Sequence, residues 1–369
     1  MLVFLTPCLQ LRAYLVGSDR FLPTFFCIAV MGHIAVCVVW TKRILMDTGR
    51  RYLKIILICI LGAVTVFFIY LNYDWNLVSR FSPAPLSDPG PYYVAYPRNY
   101  KVIVDDTPTC KTTTPFLVLM VHVATRDVTG RDAIRKTWGD EKLVLGQLVE
   151  TVFVLGLPGG ANAEQQQEKL RQENLQHHDL IQSNFQDSYH NLTIKTMMML
   201  EWLAARCVKT SYVMKIDSDM LLHVHNLVKL LLDPSTAQQN YMTGLVWWHS
   251  PVLRNPFNKF YMPTTVIAEP EYPPYPLGMA YVMSLDLPAK ILTVSPHIRP
   301  IFIEDAYLGM CLKRLGISPT DPPEKQMFIV DPVHPLSSCS LSKVIAVTTT
   351  SIPQMVSYWE RSRQPDAKC

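Results

Sequence analysis

The apolar positions of this chain gather into continuous runs separated by stretches of helical period, the pattern of an α/β domain. Phe116 to Val121 is an unbroken apolar run, and Glu150 to Leu155 and Tyr212 to Ile216 are nearly so, each the length of a strand buried on both faces. Between them, Ala163 to Asn174 and Leu192 to Arg206 repeat with the period of a helix. Strands alternating with helices predict a mostly parallel central sheet, in a globular domain running from 116 to 369. Ligands of such sheets collect beyond the C-terminal ends of the strands, so chemistry is expected just after each run.

Upstream the pattern changes. Ile55 to Leu71 is apolar and uncharged, at the lower end of the length that spans a bilayer core as a helix. Arg50, Arg51 and Lys54 precede it and Asp74 follows, which predicts a cytoplasmic N-terminal side and a lumenal or extracellular remainder. A cleaved signal peptide is the other reading, and the length of the run and the lack of a small-x-small cleavage site weigh against it. Phe21 to Trp40 is a second apolar run, a poorer spanning helix because it holds Pro23 and His33. The basic residues between the two runs orient the C-terminal domain the same way whether or not this run spans. Met46, just ahead of Asp47 to Arg51, reads as the start of a short cytoplasmic tail. The expected layout is therefore a cytoplasmic segment over 1–54 with a possible extra hydrophobic stretch, a signal anchor over 55–71, a proline-rich stem over 72–115, and the globular domain.

Composition narrows the function classes. Hydrophobic residues make up 49% of the chain, enough for a sizeable core and too many for a disordered scaffold. A net charge of +4 with 17% charged residues offers no basic surface for tracking phosphates, so nucleic acid is excluded as a partner. Cys110, Cys207, Cys311, Cys339 and Cys369 follow the anchor without C-x-x-C spacing, which predicts one or two disulfides in an oxidising lumen, with one thiol left over, rather than a zinc site. Asn191-Leu192-Thr193 is a glycosylation sequon that marks Asn191.

Two acidic clusters carry candidate chemistry. Asp217-Ser218-Asp219 follows the run Tyr212 to Ile216 and precedes the apolar Met220 to Leu222. Two carboxylates spaced by two at a strand end suit a hard divalent cation, whose charge offsets that of a diphosphate leaving group. A solvated turn is the plainer reading of the spacing, and the apolar flanks favour the metal. Glu304-Asp305 lies between Ile301 to Ile303 and Ala306 to Gly309, where burial raises a carboxylate's pKa and fits it to take a proton from a hydroxyl. A helix N-terminus explains the same pair by its dipole. Trp247, Trp248 and Tyr261 read either as core aromatics or as a stacking platform for a sugar ring.

Several segments, in order, resemble one family. Arg131 to Trp138 is similar to an R-x-x-I-R-x-T-W motif, Phe185 to Thr196 to D-x-Y-x-N-L-T-x-K-T, Lys215 to Asp219 to K-x-D-x-D, Tyr272 to Tyr275 to a Y-P-P-Y turn, and Glu304 to Gly309 to E-D-V-x-x-G. Over about 116–345 the chain thus resembles the β-1,3-galactosyltransferases and β-1,3-N-acetylglucosaminyltransferases. The resemblance implies a GT-A type nucleotide-sugar-binding domain behind a transmembrane helix and stem, a UDP-sugar donor, Mn²⁺, a glycan acceptor, inversion at the anomeric carbon and single-pass type II residence in the Golgi membrane. It implies Asp219 as chief metal ligand with Asp217, Asp217 and Ser218 near the ribose and diphosphate, and Asp305 as catalytic base with Glu304 beside it. Arg131 and Arg135 would pair with donor phosphates or serve structure, and Asp187 and Lys195 would support the donor pocket.

The chain departs from the pattern twice. Pro276-Leu277-Gly278 stands where C-S-G is usual, and Val347-Thr348-Thr349 replaces a V-H-Q segment whose histidine lies close to the metal, with His334 as a possible substitute. The expected activity is transfer of galactose in β-1,3 linkage to a terminal GlcNAc or GalNAc of glycoprotein or glycolipid. Transfer of GlcNAc is the near alternative, and a weakly active or inactive glycan-binding helper the distant one.

Overall fold

The computed structural model describes residues 24–30, 34–40, 59–65, 93–94 and 99–364, which fall into two units divided between Leu86 and Ser87. In the first, β1 (Thr24–Val30) pairs antiparallel with β2 (Ile34–Trp40). The apolar run expected as a weak spanning helix is a hairpin instead, in keeping with its Ile, Val, Phe and Trp content. Most of the expected anchor lies outside the described residues. Its 59–65 portion is helical with Ile60, Leu61 and Val64 exposed, and no helix among the described residues is long and apolar enough to cross a membrane.

The second unit is built on one sheet. Its strands are β3 (Val102–Asp105), β4 (Leu117–His122), β5 (Leu143–Val144), β6 (Gln147–Leu157), β7 (Leu180–Gln186), β8 (Tyr212–Asp217), β10 (Met242–Trp247) and β13 (Tyr275–Ser284). Its helices are α1 (Val128–Arg135), α2 (Ala163–His177), α3 (Leu192–Arg206), α4 (Val224–Leu232), α5 (Asp286–Val294), α6 (Glu304–Leu315), α7 (Ser338–Lys343) and α8 (Ile352–Ser362). The three apolar runs became β4, β6 and β8, and the two periodic stretches became α2 and α3. β4 sits between β6 and β8, parallel to both, and all six of its residues are buried, as an unbroken apolar run requires.

The sheet is mixed rather than mostly parallel. Only the neighbouring pairs β8–β4, β4–β6 and β6–β7 are parallel; β13 pairs antiparallel with both β8 and β10, and β3 pairs antiparallel with β7. β3 belongs to the region expected as stem, so the folded domain starts earlier than 116. Its Val-Ile-Val core is too short to stand out among prolines, and only its pairing with β7 makes it a strand. A smaller sheet joins β14 (Phe328–Ile329), β15 (Ala346–Thr348) and β9 (Met220–Leu222), while β11 (Ser250–Pro251) pairs with β12 (Glu271–Tyr272).

Two apolar layers close the sheet. One face packs α3, α5 and α6, and the other packs α1, α4, α8 and the small sheet. From Thr193 to Leu200 every residue of α3 is buried, each Leu, Ile or Met contributing about 1.5–3 kcal/mol. Cys110 and Cys207 form a disulfide that ties the segment after β3 to the end of α3, Cys339 is also disulfide-bonded, and Cys311 is a buried thiol. One or two disulfides with a thiol left over is what the cysteine count predicted.

Candidate active site

The two acidic clusters meet at the C-terminal end of β8. Lys215, buried one turn of pleat before Asp217, bonds its Nζ to Asp217 Oδ1 at 2.6 Å and to the Gly278 carbonyl on β13. Gly278 in turn donates its N–H to Asp305 Oδ2 at 2.8 Å, and Asp305 Oδ1 accepts from the Ala306 amide at 2.8 Å. Glu304 Oε1 accepts from Thr196 Oγ1 at 2.9 Å and Tyr281 Oη at 2.7 Å. Lys215 is therefore the hinge between the strand that carries Asp217 to Asp219 and the helix that carries Glu304 and Asp305. No role was assigned to it from sequence.

Gly278 is the surviving glycine of the altered turn, and the acidic pair packs closely against its bare α-carbon. A Cβ there would stand 2.9 Å from Glu304 Oε2 and 3.3 Å from Asp305 Oδ2. Glu304 and Asp305 open α6, as the helix-terminus reading expects, and Glu304 is buried.

Electrostatics follow from burial. Burial would lower the Lys215 pKa, but Asp217, Glu304 and Asp305 together raise it. Burial pushes Asp305 up, against the pull of the Gly278 and Ala306 amides. Glu304 is pushed up to about 7, by burial first, with Lys215 opposing and Asp305 adding. In the folded protein Glu304 thus keeps a proton that the unfolded chain, with its ordinary value of 4.5, releases. Stability contributed by this group falls as pH rises from about 4.5 to about 7 and is level above that. Glu304→Gln is expected to remove the slope, gaining on the parent by about 1 kcal/mol per pH unit in that window. Urea midpoints at about pH 5 and about pH 7 read this out; parallel trends in the two proteins would refute it.

Beside these groups lies a cleft of about 660 Å³ lined by His122, Thr125, Asp127, Asp187, Lys195, Asp217, Ser218 and Asp219 among others. Asp187 and Lys195 stand on its wall as an ion pair at 2.9 Å, and Lys195 also donates to the Val123 carbonyl at 2.8 Å. Burial lowers the Lys195 pKa while Asp187 raises it. Ser218 Oγ approaches Asp127 Oδ2 at 3.4 Å, and Asp127 caps α1 by accepting from the Gly130 amide at 2.9 Å. Asp219 reaches solvent, yet the partial burial of its carboxyl, followed by the Asp217 charge, raises its pKa.

The arginines lie elsewhere. Arg131 is fully buried and bidentate to Glu173, with both contacts at 2.7 Å, and its guanidinium also donates to the carbonyls of Ala124 and Thr125. Arg135 pairs with Asp179 at 2.8 Å and Glu173 at 2.7 Å. Of the two roles left open for them, the structural one fits. A side chain pointed back at α2 has no charge left to offer a phosphate, and Arg131 instead anchors the loop that forms the cleft wall. Trp138 of the same motif donates its indole N–H to the Met220 carbonyl at 3.2 Å, bracing the residue after Asp219.

The replaced histidine position does lie beside Asp219. β15 pairs with β9 so that Thr348 faces Met220, and Thr349 donates both its amide and its hydroxyl to the Asp219 carbonyl at 2.8 Å. Thr348 Oγ1 accepts from the Asp331 amide at 2.7 Å. These threonines brace the backbone, and His334 is exposed and does not line the cleft. Among the described residues no group of three or more His, Cys, Asp and Glu is arranged to hold a metal. A pair of carboxylates at a cleft still suits a hard cation that takes its remaining ligands from substrate oxygens and water.

Asn191 donates its amide nitrogen to the Gln186 carbonyl at 2.8 Å, just before α3 and next to the cleft residues Tyr189 and Leu192. A glycan on that nitrogen would displace this bond. Trp247 and Trp248 are 46% and 40% exposed, which rules them out of the core. β10 runs parallel to β8 through the intervening antiparallel β13, so both indoles emerge at the end of the sheet that bears Asp217. Trp248 donates to the Asp321 carboxylate at 2.9 Å, and Tyr261 is half-buried nearby in sequence. A second cavity, of about 540 Å³, opens at the opposite end of β4 and β8, near Phe116 and Tyr212.

The galactosyltransferase family model matches residues 129–323, a span that holds Asp187, Lys195, both acidic clusters and Gly278 but begins after the His122 to Asp127 part of the cleft wall. The chain belongs to the galactosyltransferase family. It is 38% identical over 272 residues to beta-1,3-galactosyltransferase 2 of Pongo abelii, covering 73% of this chain and 64% of that one. It is 38% identical over 224 residues to beta-1,3-galactosyltransferase 1 of Mus musculus, covering 60% and 68%. The chain thus spans just under two thirds of the first of these relatives. Among solved structures, the apo WbbM bifunctional glycosyltransferase is similar over 69% of this chain and 50% of that one, at 10% identity and a TM-score of 0.40. Within the family match, Arg131 to Trp138 takes its meaning from packing, since its side chains buttress the cleft and Met220 rather than enter the cleft.

Proposed function

We propose that the chain is an inverting β-1,3-galactosyltransferase, of GT-A type, that moves galactose from UDP-galactose to a terminal GlcNAc or GalNAc of a glycoprotein or glycolipid glycan. The observation that carries this reading is the junction at Lys215 and Gly278, which brings the Asp217–Asp219 pair and the Glu304–Asp305 pair together at one strand end. Inversion by direct displacement needs those two acidic positions and no covalent intermediate. Asp305 accepts the proton of the attacking hydroxyl, its raised pKa making it a stronger base than a free carboxylate. Its two backbone donors hold it in one orientation, so the acceptor oxygen meets a fixed lone pair.

Asp219 and Asp217 would hold Mn²⁺, which when bound offsets the charge that grows on the departing diphosphate. The Asp187–Lys195 pair walls the donor cleft, and Lys215 fixes Asp217 relative to Asp305. Trp247 and Trp248 offer apolar faces against which an acceptor ring stacks. Residence in the Golgi membrane as a single-pass type II protein is part of the same reading, supported by the charge asymmetry around Ile55 to Leu71 and the exposed apolar side chains at 60, 61 and 64.

The test is transfer by the full chain with Mn²⁺, from UDP-galactose and from UDP-GlcNAc, to simple β-linked GlcNAc and GalNAc acceptors. Transfer of galactose is expected. Asp219→Asn keeps an oxygen ligand but loses its charge, and the Mn²⁺ concentration for half-maximal rate is expected to rise about tenfold. Transfer from UDP-GlcNAc alone would replace galactose as the donor sugar. Folded protein that transfers neither sugar and binds no UDP would replace the enzyme with a glycan-binding helper.

A further inference from the structure

His122 ends β4 on the floor of the cleft, opposite Asp217 across the strand pair, and is 5% exposed. Neither its Nδ1 nor its Nε2 has a hydrogen-bond partner. Buried polar side chains are nearly always paired, and an imidazole left with both nitrogens idle is an exception that calls for a reason. Its neighbours supply none. Lys195 donates to Val123 and Asp187, Lys215 donates to Asp217 and Gly278, and neither bonds the imidazole. The β4 alternation turns the ring toward the face that holds both lysines, and therefore into the space the substrate would enter.

We propose that His122 binds a hydroxyl-bearing ring of the nucleotide-sugar donor, one nitrogen donating to a sugar oxygen and the other accepting from a sugar O–H. The assignment rests on the donor reading above. In either neutral tautomer imidazole offers one donor and one acceptor, and neighbouring hydroxyls on a sugar present the matching pair. A phosphate, which only accepts, would leave one nitrogen unpaired. Two rings of the donor carry such hydroxyls, the ribose and the hexose, and binding measurements separate them.

The experiment titrates UDP and UDP-galactose, each with Mn²⁺, into the full chain and into His122→Leu and His122→Asn. His122→Leu is expected to bind UDP-galactose about tenfold or more weakly, the loss of one to two hydrogen bonds. His122→Asn keeps a donor and an acceptor and is expected to bind better than His122→Leu. Weakened binding of UDP-galactose alone assigns the contact to the hexose, and equal weakening of UDP assigns it to the nucleoside, where the ribose carries the hydroxyls. The leucine variant should melt no lower than the parent, because it removes an unpaired buried polar group; a purely structural histidine would predict a lower melting temperature with unchanged affinity.

Unchanged affinity in a folded leucine variant overturns the assignment alone. A parent that binds neither ligand overturns the donor reading and the assignment together. Should the leucine variant fail to fold, the ¹⁵N imidazole resonance of His122 in the parent, assigned through His122→Asn, decides the matter. A shift on adding UDP-galactose supports the contact, and a resonance unmoved by saturating ligand overturns it.

Discussion

Asp305→Asn is expected to lower the turnover of sugar transfer by roughly 10²–10⁴-fold while nucleotide-sugar binding stays nearly unchanged. The substitution keeps size and shape and removes the ability to take a proton. Its Oδ1 still accepts from one backbone amide, and its NH₂ meets the other, so a small loss of stability accompanies the change. Melting temperature and UDP affinity distinguish that loss from the chemical one, since a misfolded site would lose binding as well as turnover. In the parent, the rate should fall as the medium is made acid enough to protonate Asp305, at a pH above the ordinary Asp value because burial raises its pKa. Retained turnover in Asp305→Asn, with loss in Glu304→Gln, would move the base to Glu304.

Arg131→Met is expected to lower folding stability by roughly 3–5 kcal/mol, the usual cost of breaking one side of a buried ion pair. Arg131 is fully buried, and its removal leaves Glu173 with Arg135 alone, and leaves the carbonyls of Ala124 and Thr125 without their donor. Burial would raise the Glu173 pKa, but Arg131 and Arg135 outweigh it and hold it below the ordinary value. A carboxylate depressed in the folded state stabilises above its unfolded pKa, and that contribution is lost as pH falls through the folded one. The gap between parent and variant should therefore be widest near neutral pH and narrow in acid. Urea denaturation across pH measures it; a variant within about 1 kcal/mol of the parent at neutral pH would show that Arg135 alone can serve Glu173. UDP affinity should also fall, because the loop that Arg131 anchors carries Thr125 and Asp127 into the cleft wall.

Both effects bear on how much of the site was readable in advance. The pairs Asp217/Asp219 and Glu304/Asp305 stand out by position alone, because a carboxylate just beyond a buried strand or between apolar runs carries a desolvation cost that structure must offset, while the separate roles of Asp219 and Asp305 are what the family resemblance implies. Asp187 and Lys195 came from the family resemblance, and they lie on the cleft wall as a pair. Arg131 and Arg135 could not be placed, since a guanidinium suits a carboxylate as well as a phosphate and only the position of α2 decides between them. Lys215 and His122 were missed for the opposite reason. Each sits at an inward-facing strand position, where sequence predicts core. The only available signal was that a polar residue interrupts or ends an apolar run.

The local pattern determined β4, β6, β8, α2 and α3, and it determined that chemistry would follow β8, because apolar runs and helical periods are properties of neighbouring residues. What the tertiary structure decided depends on residues far apart in the chain. The antiparallel edge strands, the bridge from Lys215 through Gly278 to Asp305 and the clasp of Thr349 on Asp219 all arise from pairings between segments that carry no mark of one another, and the unpaired imidazole of His122 from where those pairings leave it. Strand order is set by how whole faces bury against helices, and that is a sum over the entire core. Motifs name the reacting groups, while packing alone fixes which of them meet.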